Sequence, residues 1–496
     1  MTTEGISTPS PSAPICAARA RGYLLVAAIL ASALGYIDGS IVAIAMPAMR
    51  ADLGAGLVGA QWIANGYMLS LAALTLVGGA MADRFGLVRV FGLGLVGFMV
   101  TSLLCAIAPT TETLIGARVF QGIAAALVVP GSLALITAAY PPEERGRAIG
   151  TWAAASAITT ALGPILGGIL LSVGGDGAWR IIFAVNLPLG AVALWLLWRF
   201  SSAETPKAAL TLDWPGAVTA SAGFALIAWA LTGAEHGGDA PTGAGAAAVA
   251  GGALLALFLW IETRSRNPML PLSLFRSPQF AAANALTFTL YFALSAMLFF
   301  LPMATVGGWG LSELMVSLSF LPLTIAITVM SRPVGAWADR VGPGRPIILG
   351  CALVAVAYGL IALTAPLQAF LLATLPALTL AGIGMGLVVA PLSTAVMSSA
   401  AADTGGIASG VNNAMARLAG LVAVAAMGGV AASAYGQAGG VDGFGIRPVE
   451  PADLHALASG AGLAAVAWVT ACLAAVSAII AAWGLKWTAP PKDRPS

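Results

Sequence analysis

Three ionisable side chains stand inside long uncharged stretches of the sequence. They are Asp38, Arg118 and Arg417, the single charged residues of the segments 22–49, 113–142 and 404–441. A carboxyl group in apolar surroundings can take up and release a proton, because desolvation favours its neutral form. An arginine keeps its charge at any usable pH and therefore needs a partner or access to water.

These chemical properties lead to alternative hypotheses for each residue. Asp38 is predicted to be a proton site, although it would alternatively serve only to hydrogen-bond a neighbouring helix. Arg118 is predicted to pair with Asp38 or with a helix carbonyl and so to couple proton binding to shape; the alternative is that it extends to the membrane interface. For Arg417 the alternatives are anion binding, pairing across helices, or a structural cluster with Asn412 and Asn413.

The composition excludes an ordinary water-soluble protein. Of the 496 residues, 59% are hydrophobic and 8% are charged, and the mean hydropathy is +0.93. Soluble domains carry about 25% charged residues, so most of the outer surface must face lipid. A net charge of +2 without a basic run argues against a nucleic-acid partner. The four cysteines have no metal-ligand spacing, and no metal is expected.

Uncharged windows of about 20 residues predict membrane-spanning helices, because this length crosses the hydrocarbon layer. The uncharged stretch 346–402 is divided at Pro366, which marks a predicted turn. Fourteen spans result, at 23–47, 57–78, 90–108, 113–137, 149–172, 181–199, 214–233, 243–261, 279–304, 312–334, 347–365, 369–392, 407–431 and 459–485.

The distribution of Lys and Arg predicts the orientation. Seventeen of the 22 fall in alternate loops on the side of the N-terminus, whereas Arg50, Arg180 and Arg447 fall on the other side. Because Lys and Arg accumulate in short cytoplasmic loops, both termini are expected inside. The longest outer loop is expected at about 432–458.

A short pattern, GxxxDRxG, occurs twice at a distance of 256 residues. Each copy is expected in an inner loop after the second helix of a set of six. In each copy, a charge-assisted pair next to a helix end is interpreted as a latch that holds one conformation. The alternative is that these residues are ordinary solvated loop charges. The residues of the two copies are Gly79, Asp83, Arg84 and Gly86, and Gly335, Asp339, Arg340 and Gly342.

The repeat predicts an all-α polytopic membrane protein whose fourteen transmembrane helices are arranged 6+2+6. Secondary transporters use repeats of six helices, with a substrate site between the halves. The predicted organisation is a disordered cytoplasmic tail at 1–21, an N-terminal six-helix bundle at 22–200, two inserted helices with flanking loops at 201–278, a C-terminal six-helix bundle at 279–485 and a cytoplasmic tail at 486–496.

Four motifs along the chain resemble those of one transporter family. They are Gly79–Gly86 in the first inner loop, Ile37–Pro47 with its membrane aspartate, Arg118–Gly122 in the fourth helix, and Gly150 with Gly163-Pro164 and Gly167-Gly168 in the fifth helix. Together they resemble the major facilitator superfamily, specifically its 14-helix drug:proton antiporters, over nearly the whole chain. Leu87 and Val88 stand where the loop motif usually has basic residues, and Thr159 replaces an expected glycine.

The resemblance implies roles for these residues. Asp38 and Arg118 would couple transport to protons, and the fifth-helix motif implies antiport rather than symport. A helix with small residues and a proline can pack closely and bend, which suits a moving joint, whereas the alternative is a static packing groove.

A substrate cavity is predicted from polar and aromatic residues in several spans. Such a lining with a buried acid suits amphipathic or cationic organic molecules, although aromatic residues near helix ends are also typical of membrane-interface anchors. The candidates are Gln61, Trp62, Asn65, Tyr67, Trp152, Phe288, Tyr291, Phe292 and Arg417.

Other signals argue against an enzyme and against ATP as the energy source. GxGxxG at Gly92–Gly97 lies inside a predicted helix, and no GxxxxGK[ST] loop occurs. The two histidines, His236 and His455, are expected in outer loops, away from any catalytic arrangement. No cofactor is expected, and an ion gradient, here that of protons, must drive transport.

The predicted function is a proton-coupled antiporter that exports small organic compounds across the cytoplasmic membrane. An uptake symporter or facilitator on the same fold is the alternative, and a receptor or channel is a third possibility that the repeat disfavours. The predicted partners are a small-molecule substrate, protons and the lipid bilayer. The chain is expected to be a monomer, with accessory export proteins left open.

Overall fold

Long helices account for almost all of the computed structural model. It describes residues 15–202, 213–232, 243–265, 268, 270–399, 405–447 and 452–485; within helices, a few side chains, including that of Asp83, lie outside the described part. The predicted tails therefore fall outside the described residues except for 15–21, and so does His236. Within the described ranges the secondary structure is helical, with short turns between helices.

Sixteen α-helices are present in these ranges. The N-terminal bundle contains α1 (Arg21–Leu53), α2 (Leu57–Phe85), α3 (Leu87–Ala106), α4 (Thr111–Ala139), α5 (Pro142–Gly174), α6 (Trp179–Ala184) and α7 (Asn186–Phe200). The insertion contains α8 (Trp214–Thr232) and α9 (Ala244–Arg264). The C-terminal bundle contains α10 (Pro278–Pro302), α11 (Glu313–Leu318), α12 (Leu321–Val341), α13 (Gly344–Thr364), α14 (Leu375–Ser398), α15 (Gly405–Gln437) and α16 (Ala452–Gly484).

Thirteen helical stretches of the described chain are long and apolar enough to cross a membrane. The consecutive helices α6 and α7 together make one of them, and so do α11 and α12. The predicted span 149–172 lies within α5, a helix of 33 residues whose described apolar part is Leu162–Gly174. The turn predicted at Pro366 is a short 3-10 helix, Ala365–Leu367, between α13 and α14.

Several helices extend beyond the predicted spans. The α1 helix runs to Leu53, where Gly54 ends it with a positive φ of 64°. Hydropathy marks only the apolar part of a helix, whereas backbone hydrogen bonding continues until a residue such as glycine adopts the left-handed conformation. For the same reason the outer loop expected at 432–458 is shorter, since α15 continues to Gln437 and α16 begins at Ala452.

The repeated pattern GxxxDRxG ends a helix in both bundles. Its Asp-Arg pairs were expected in loops, but they lie in the last turns of α2 and α12. The final glycines, Gly86 and Gly342, follow with φ values of 98° and 83°, a conformation that favours glycine. The pattern is therefore in part a signal for ending a helix.

The two bundles are built from the same pairs of neighbouring helices. In the N-terminal bundle α2 packs on α4, α3 on α4, and α1 on α5 and α7; in the C-terminal bundle α12 packs on α14, α13 on α14, and α10 on α15 and α16. When α6 with α7 and α11 with α12 are each counted as one span, these partners occupy corresponding positions in the two sets of six spans. The predicted two-fold repeat is thus visible in the packing.

The bundles meet at the end where α1 connects to α2, which we call the outer end after the predicted orientation. Gln61 of α2 donates a hydrogen bond of 2.6 Å to the Val424 carbonyl of α15. Arg50 of α1 donates one of 2.5 Å to the Phe444 carbonyl, in the connection between α15 and α16. These buried polar contacts close the outer end.

The inserted helix α8 packs against α2 and α15. Its Ala228 lies in one apolar cluster with Leu421 and Ala425, and Trp62 of α2 packs on the same cluster. The insertion is therefore attached to both bundles along the line where α2 meets α15.

Glycines permit the closest helix contacts, and one of them provides a direct test. A Cβ atom at Gly122 of α4 would overlap the Tyr67 carbonyl oxygen and lie 2.8 Å from Ser70 Cβ, whereas one at Gly116 of the same helix would meet nothing within 4 Å. We expect Gly122→Ala to destabilise the purified protein by about 1–3 kcal/mol through overpacking. Gly116→Ala should instead be neutral or stabilising by up to about 1 kcal/mol, because alanine favours the helix.

Thermal unfolding midpoints in detergent would measure both effects. Equal midpoints for the two alanine variants would contradict the α2–α4 packing.

Candidate functional site

Asp38 lies in the middle of α1, deeper than its predicted position. The helix ends fifteen residues later, at Leu53, which is about 22 Å at 1.5 Å per residue. Its side chain is 0% exposed. A carboxyl group at this depth must find polar partners within the protein, because an isolated buried charge is costly.

Arg118 of α4 supplies the principal partner. Its Nη1 atom donates a hydrogen bond of 2.6 Å to Oδ2 of Asp38. The Nε atom donates to the Ile63 carbonyl of α2 at 3.2 Å, and the side chain is 2% exposed. Arg118 thus does not extend to the membrane interface but holds α1, α2 and α4 together through a buried ion pair.

Aromatic rings enclose the guanidinium. Its Cζ atom lies 4.2 Å from the centroid of the Tyr67 ring and 5.7 Å from that of Phe183. The electron-rich faces of such rings attract a cation, and their bulk excludes water from the ion pair.

Three further polar residues, which the sequence interpretation did not identify as partners, complete the network. Gln121 accepts a 2.7 Å hydrogen bond from Arg118 and donates to Oδ1 of Asp38 at 3.3 Å. It also donates to the Ser102 hydroxyl at 2.9 Å, which accepts a second hydrogen bond, of 3.2 Å, from Asn186. A signal was present, because Gln121 follows Arg118 by three residues and shares its helix face.

The hydrogen-bond pattern suits an ionised Asp38. Arg118 donates to one carboxylate oxygen and Gln121 donates to the other, and an ionised carboxylate has acceptors only. Protonation would place a hydrogen on an oxygen that already faces a donor. The network would then have to rearrange, which links the charge of Asp38 to the relative positions of α1 and α4.

The glycines of the fifth-helix motif lie at close helix contacts. Gly163 and Gly167 face α1, where added Cβ atoms would overlap Ser40 Oγ and lie 2.6 Å from Ile41 Cγ1. Gly168 faces the other bundle, with Leu314 Cα of α11 at 2.9 Å from such an atom. Pro164 lies within α5 among them. Gly150 differs, since a Cβ there would meet nothing within 4 Å.

Five of the predicted cavity residues lie in five different environments. Gln61 bridges the bundles as described, and Trp62 packs on α8 and α15. Trp152 donates to the Ser32 hydroxyl of α1 at 2.8 Å, within the N-terminal bundle. Tyr291 is half-buried against the core of the C-terminal bundle. Tyr67 packs on Arg118.

Asn65 and Arg417 remain without a described hydrogen-bond partner. Asn65 is 1% exposed, and neither of its amide atoms has a partner within the described part of the chain. Arg417 of α15 is half-buried and lies two helical turns before Val424 on the same face of α15.

The residues of the predicted latches lie at the inner ends of the bundles. Asp339 and Arg340 are exposed at the end of α12, and Arg84 is exposed, with its guanidinium 5.3 Å from the Phe85 ring centroid. Gly79 lies one helical turn before Asp83, whose side chain falls outside the described part.

Comparison with known proteins identifies relatives over most of the chain. It is 33% identical over 444 residues to the Tetracenomycin C resistance and export protein of Streptomyces glaucescens, covering 88% of this chain and 81% of that protein. It is 34% identical over 409 residues to the Methylenomycin A resistance protein of Streptomyces coelicolor, covering 81% and 84%. It is 32% identical over 410 residues to the Multidrug resistance protein Stp of Mycobacterium tuberculosis, covering 82% and 75%.

Solved structures share the fold. A bacterial homologue of the human lysosomal transporter Spinster, in an inward-facing and occupied conformation, matches with a TM-score of 0.67 and 16% identity, over 94% of this chain and 97% of that chain. A D-xylose-proton symporter matches with a TM-score of 0.65 and 14% identity, over 94% and 98%. The model of the Major Facilitator Superfamily matches residues 28–424. With this match and these relatives, the chain belongs to the Major Facilitator Superfamily and is a membrane transporter, not an enzyme.

Proposed function

We propose that this transporter is a proton-coupled antiporter that exports small amphipathic organic compounds across the cytoplasmic membrane by alternating access. The proposal includes fourteen spans, with α5 as the fifth, both termini inside, and a proton gradient as the energy source without a cofactor. It also takes the chain to act as a monomer. The names of the relatives, which describe resistance and export, favour export over uptake.

The ion pair between Asp38 and Arg118 is the observation that carries the proposal. It links α1 to α4 in a place without access to bulk water, with 0% and 2% of the two side chains exposed. A proton bound by Asp38 cancels the carboxylate charge and leaves Arg118 without its counter-ion. Since a buried uncompensated charge is unfavourable, the protonated protein favours an arrangement in which the surroundings of Arg118 differ.

The magnitude of this effect is sufficient to move a conformational equilibrium. Breaking a buried ion pair by removing one partner costs about 3–5 kcal/mol. Shifting a two-state equilibrium from 1:99 to 99:1 requires about 5.5 kcal/mol. One proton at Asp38 therefore supplies free energy of the right order to reverse the preference between two orientations of the bundles.

The closed outer end is consistent with a transport cycle in which substrate binds from the inner side. Contacts such as Gln61–Val424 and Arg50–Phe444 close this end, and so the intact ion pair coexists with a closed outer end. In the proposed cycle, substrate enters from inside in this state. Protonation of Asp38 breaks the pair with Arg118 that stabilises this state, and so it favours the arrangement with an open outer end.

Removal of the titratable group provides the first test. A compound that the wild-type protein exports is first identified in a pump-deficient bacterium. In proteoliposomes with an imposed pH gradient, Asp38→Asn should then abolish uphill accumulation of this compound. Downhill counterflow should persist, because the substrate space is retained. Uphill transport by Asp38→Asn would show that Asp38 is not the proton site.

The coupling between the two charges is tested by stability. We expect Asp38→Asn and Arg118→Gln each to destabilise the purified protein by about 3–5 kcal/mol, because each leaves a buried partner unpaired. The double variant should be much more stable than the sum of both effects implies, as measured by thermal unfolding.

A matched control is the pair of Asp52 and Arg180 at the outer end, whose side chains are 29% and 33% exposed. Its variants Asp52→Asn and Arg180→Gln should show coupling of at most about 1 kcal/mol. Additive effects at Asp38 and Arg118 would contradict the buried pair.

The latch role of the repeated pattern is tested at the inner ends. Asp83→Asn and Asp339→Asn should each lower the transport rate about fivefold or more, through a shift between conformations. The amount of folded protein in the membrane should stay at the wild-type level. Asp453→Asn, an exposed acid at the opposite end of the C-terminal bundle, serves as the control. Unchanged rates in both test variants would exclude a latch.

A further inference from the structure

The charge that faces the space between the bundles is positive. Arg417 lies on α15, where the segment 404–441 contains no other charged residue. It precedes Val424 by seven residues and so lies on the same face of α15. Since the Val424 carbonyl accepts the hydrogen bond from Gln61 of α2, this face is turned toward the N-terminal bundle, where Tyr36 and Tyr67 lie within electrostatic reach of the guanidinium. Within the described chain it forms no ion pair and no hydrogen bond. A half-buried guanidinium in this position attracts an anion strongly.

The neighbouring helices offer no free acid to neutralise Arg417. The sequences of α10 and α15 contain no Asp or Glu, and α1 contains only Asp38 and Asp52. Asp38 is occupied by Arg118 and Gln121, and Asp52 is bound by Arg180 and Trp179. The single acid of α2, Asp83, lies about 24 Å along the helix from Tyr67.

The surface around Arg417 is open and partly polar. Tyr36 is 36% exposed, although α1 is surrounded by α4, α5 and α7 within its bundle. Asn413, one helical turn from Arg417 on the same face of α15, is exposed as well. The contact between Gln61 and Val424 closes the seam outward of these residues. The seam is therefore closed on the outer side of Arg417 and Asn413.

Asn65 adds a second polar group at this level. It follows Gln61 by four residues and so lies on the side of α2 that contacts α15, one turn further inward. Its buried amide atoms lack partners within the described part. A buried amide without a partner is costly, and a polar ligand group would satisfy it.

We propose that Arg417 is the recognition residue of an anion subsite, so that the transporter prefers organic acids such as aromatic carboxylates. The inference rests on the proposed export function and deepens it. The combination of aromatic residues and a membrane acid predicts amphipathic or cationic compounds. However, Asp38 is fully buried and both of its oxygens accept hydrogen bonds, so it offers no charge to a cation. Since the ion pair of Asp38 and Arg118 has no net charge in this state, Arg417 alone determines the sign of the charge at the site.

Direct binding tests the subsite without any proton gradient. The fluorescent probes are anthracene-2-carboxylate and anthracene-2-carboxamide, which have nearly the same shape and differ in charge. The full-length protein in detergent should bind the carboxylate at least about tenfold more tightly than the amide, as expected for a charge-assisted contact. In Arg417→Gln the ratio of the two Kd values should fall to about one, with the affinity for the amide changed less than about twofold.

Three further variants make the result specific. Arg417→Lys keeps the charge and should keep a preference for the carboxylate, and it also serves if Arg417→Gln fails to fold. Arg264→Gln at the end of α9 removes an arginine outside both bundles and should leave the ratio at the wild-type value. Asp38→Asn should retain the preference even where uphill transport is lost, which separates this inference from the proton-coupling proposal.

Three results would overturn the subsite. The first is equal affinity of the wild-type protein for the two probes, which decides without any variant. The second is an unchanged preference in Arg417→Gln. The third is an equal loss of affinity for both probes in a folded Arg417→Gln protein, since this would assign Arg417 a structural role.

Discussion

The structure depends on the cost of a charge in a place without water. Asp38 and Arg118 are both buried, and each makes the other tolerable. The surrounding side chains serve the same purpose: Gln121 contacts both members of the pair, and Tyr67 covers the guanidinium with its ring. Such a pair contributes little net stability compared with apolar packing. In the proposed function, its value is that it makes the arrangement of α1, α2 and α4 sensitive to one proton.

The chain is built from two similar bundles, which contact each other along two equivalent lines. In the proposed function, a change at the ion pair would alter how the bundles meet along these lines. Where α2 meets α15, the second helix of one repeat contacts the fifth helix of the other; where α5 meets α11 and α12, the same relation holds in reverse. Gly168 permits the close approach at the second line, and the hydrogen bond from Gln61 joins the helices at the first. In the proposed alternating access, two equivalent lines of contact would let the bundles rotate against each other as rigid bodies.

Much of this architecture could be predicted from the sequence, because uncharged windows and a repeated Asp-Arg pattern depend only on local composition. The placement of Asp38 well inside its helix also follows from its distance to the nearest charges. The partnership of Gln121, Ser102 and Asn186 could not be predicted, since it depends on how four helices are rotated about their axes. Nor does hydropathy predict where helices end, which is determined by residues such as Gly54 and Gly86.

The inserted helices make the two lines of contact unequal. On α8, Ala228 adds an apolar cluster to the meeting of α2 and α15, together with Trp62 and Leu421. Opening this line requires those side chains to separate as well, and each fully buried large apolar side chain contributes about 1.5–3 kcal/mol. In the proposed cycle, the free energy from protonation would act against unequal resistance on the two sides. The inserted helix α8 belongs to neither repeat and contributes no residue to the ion pair, yet it adds apolar contacts to the line between α2 and α15.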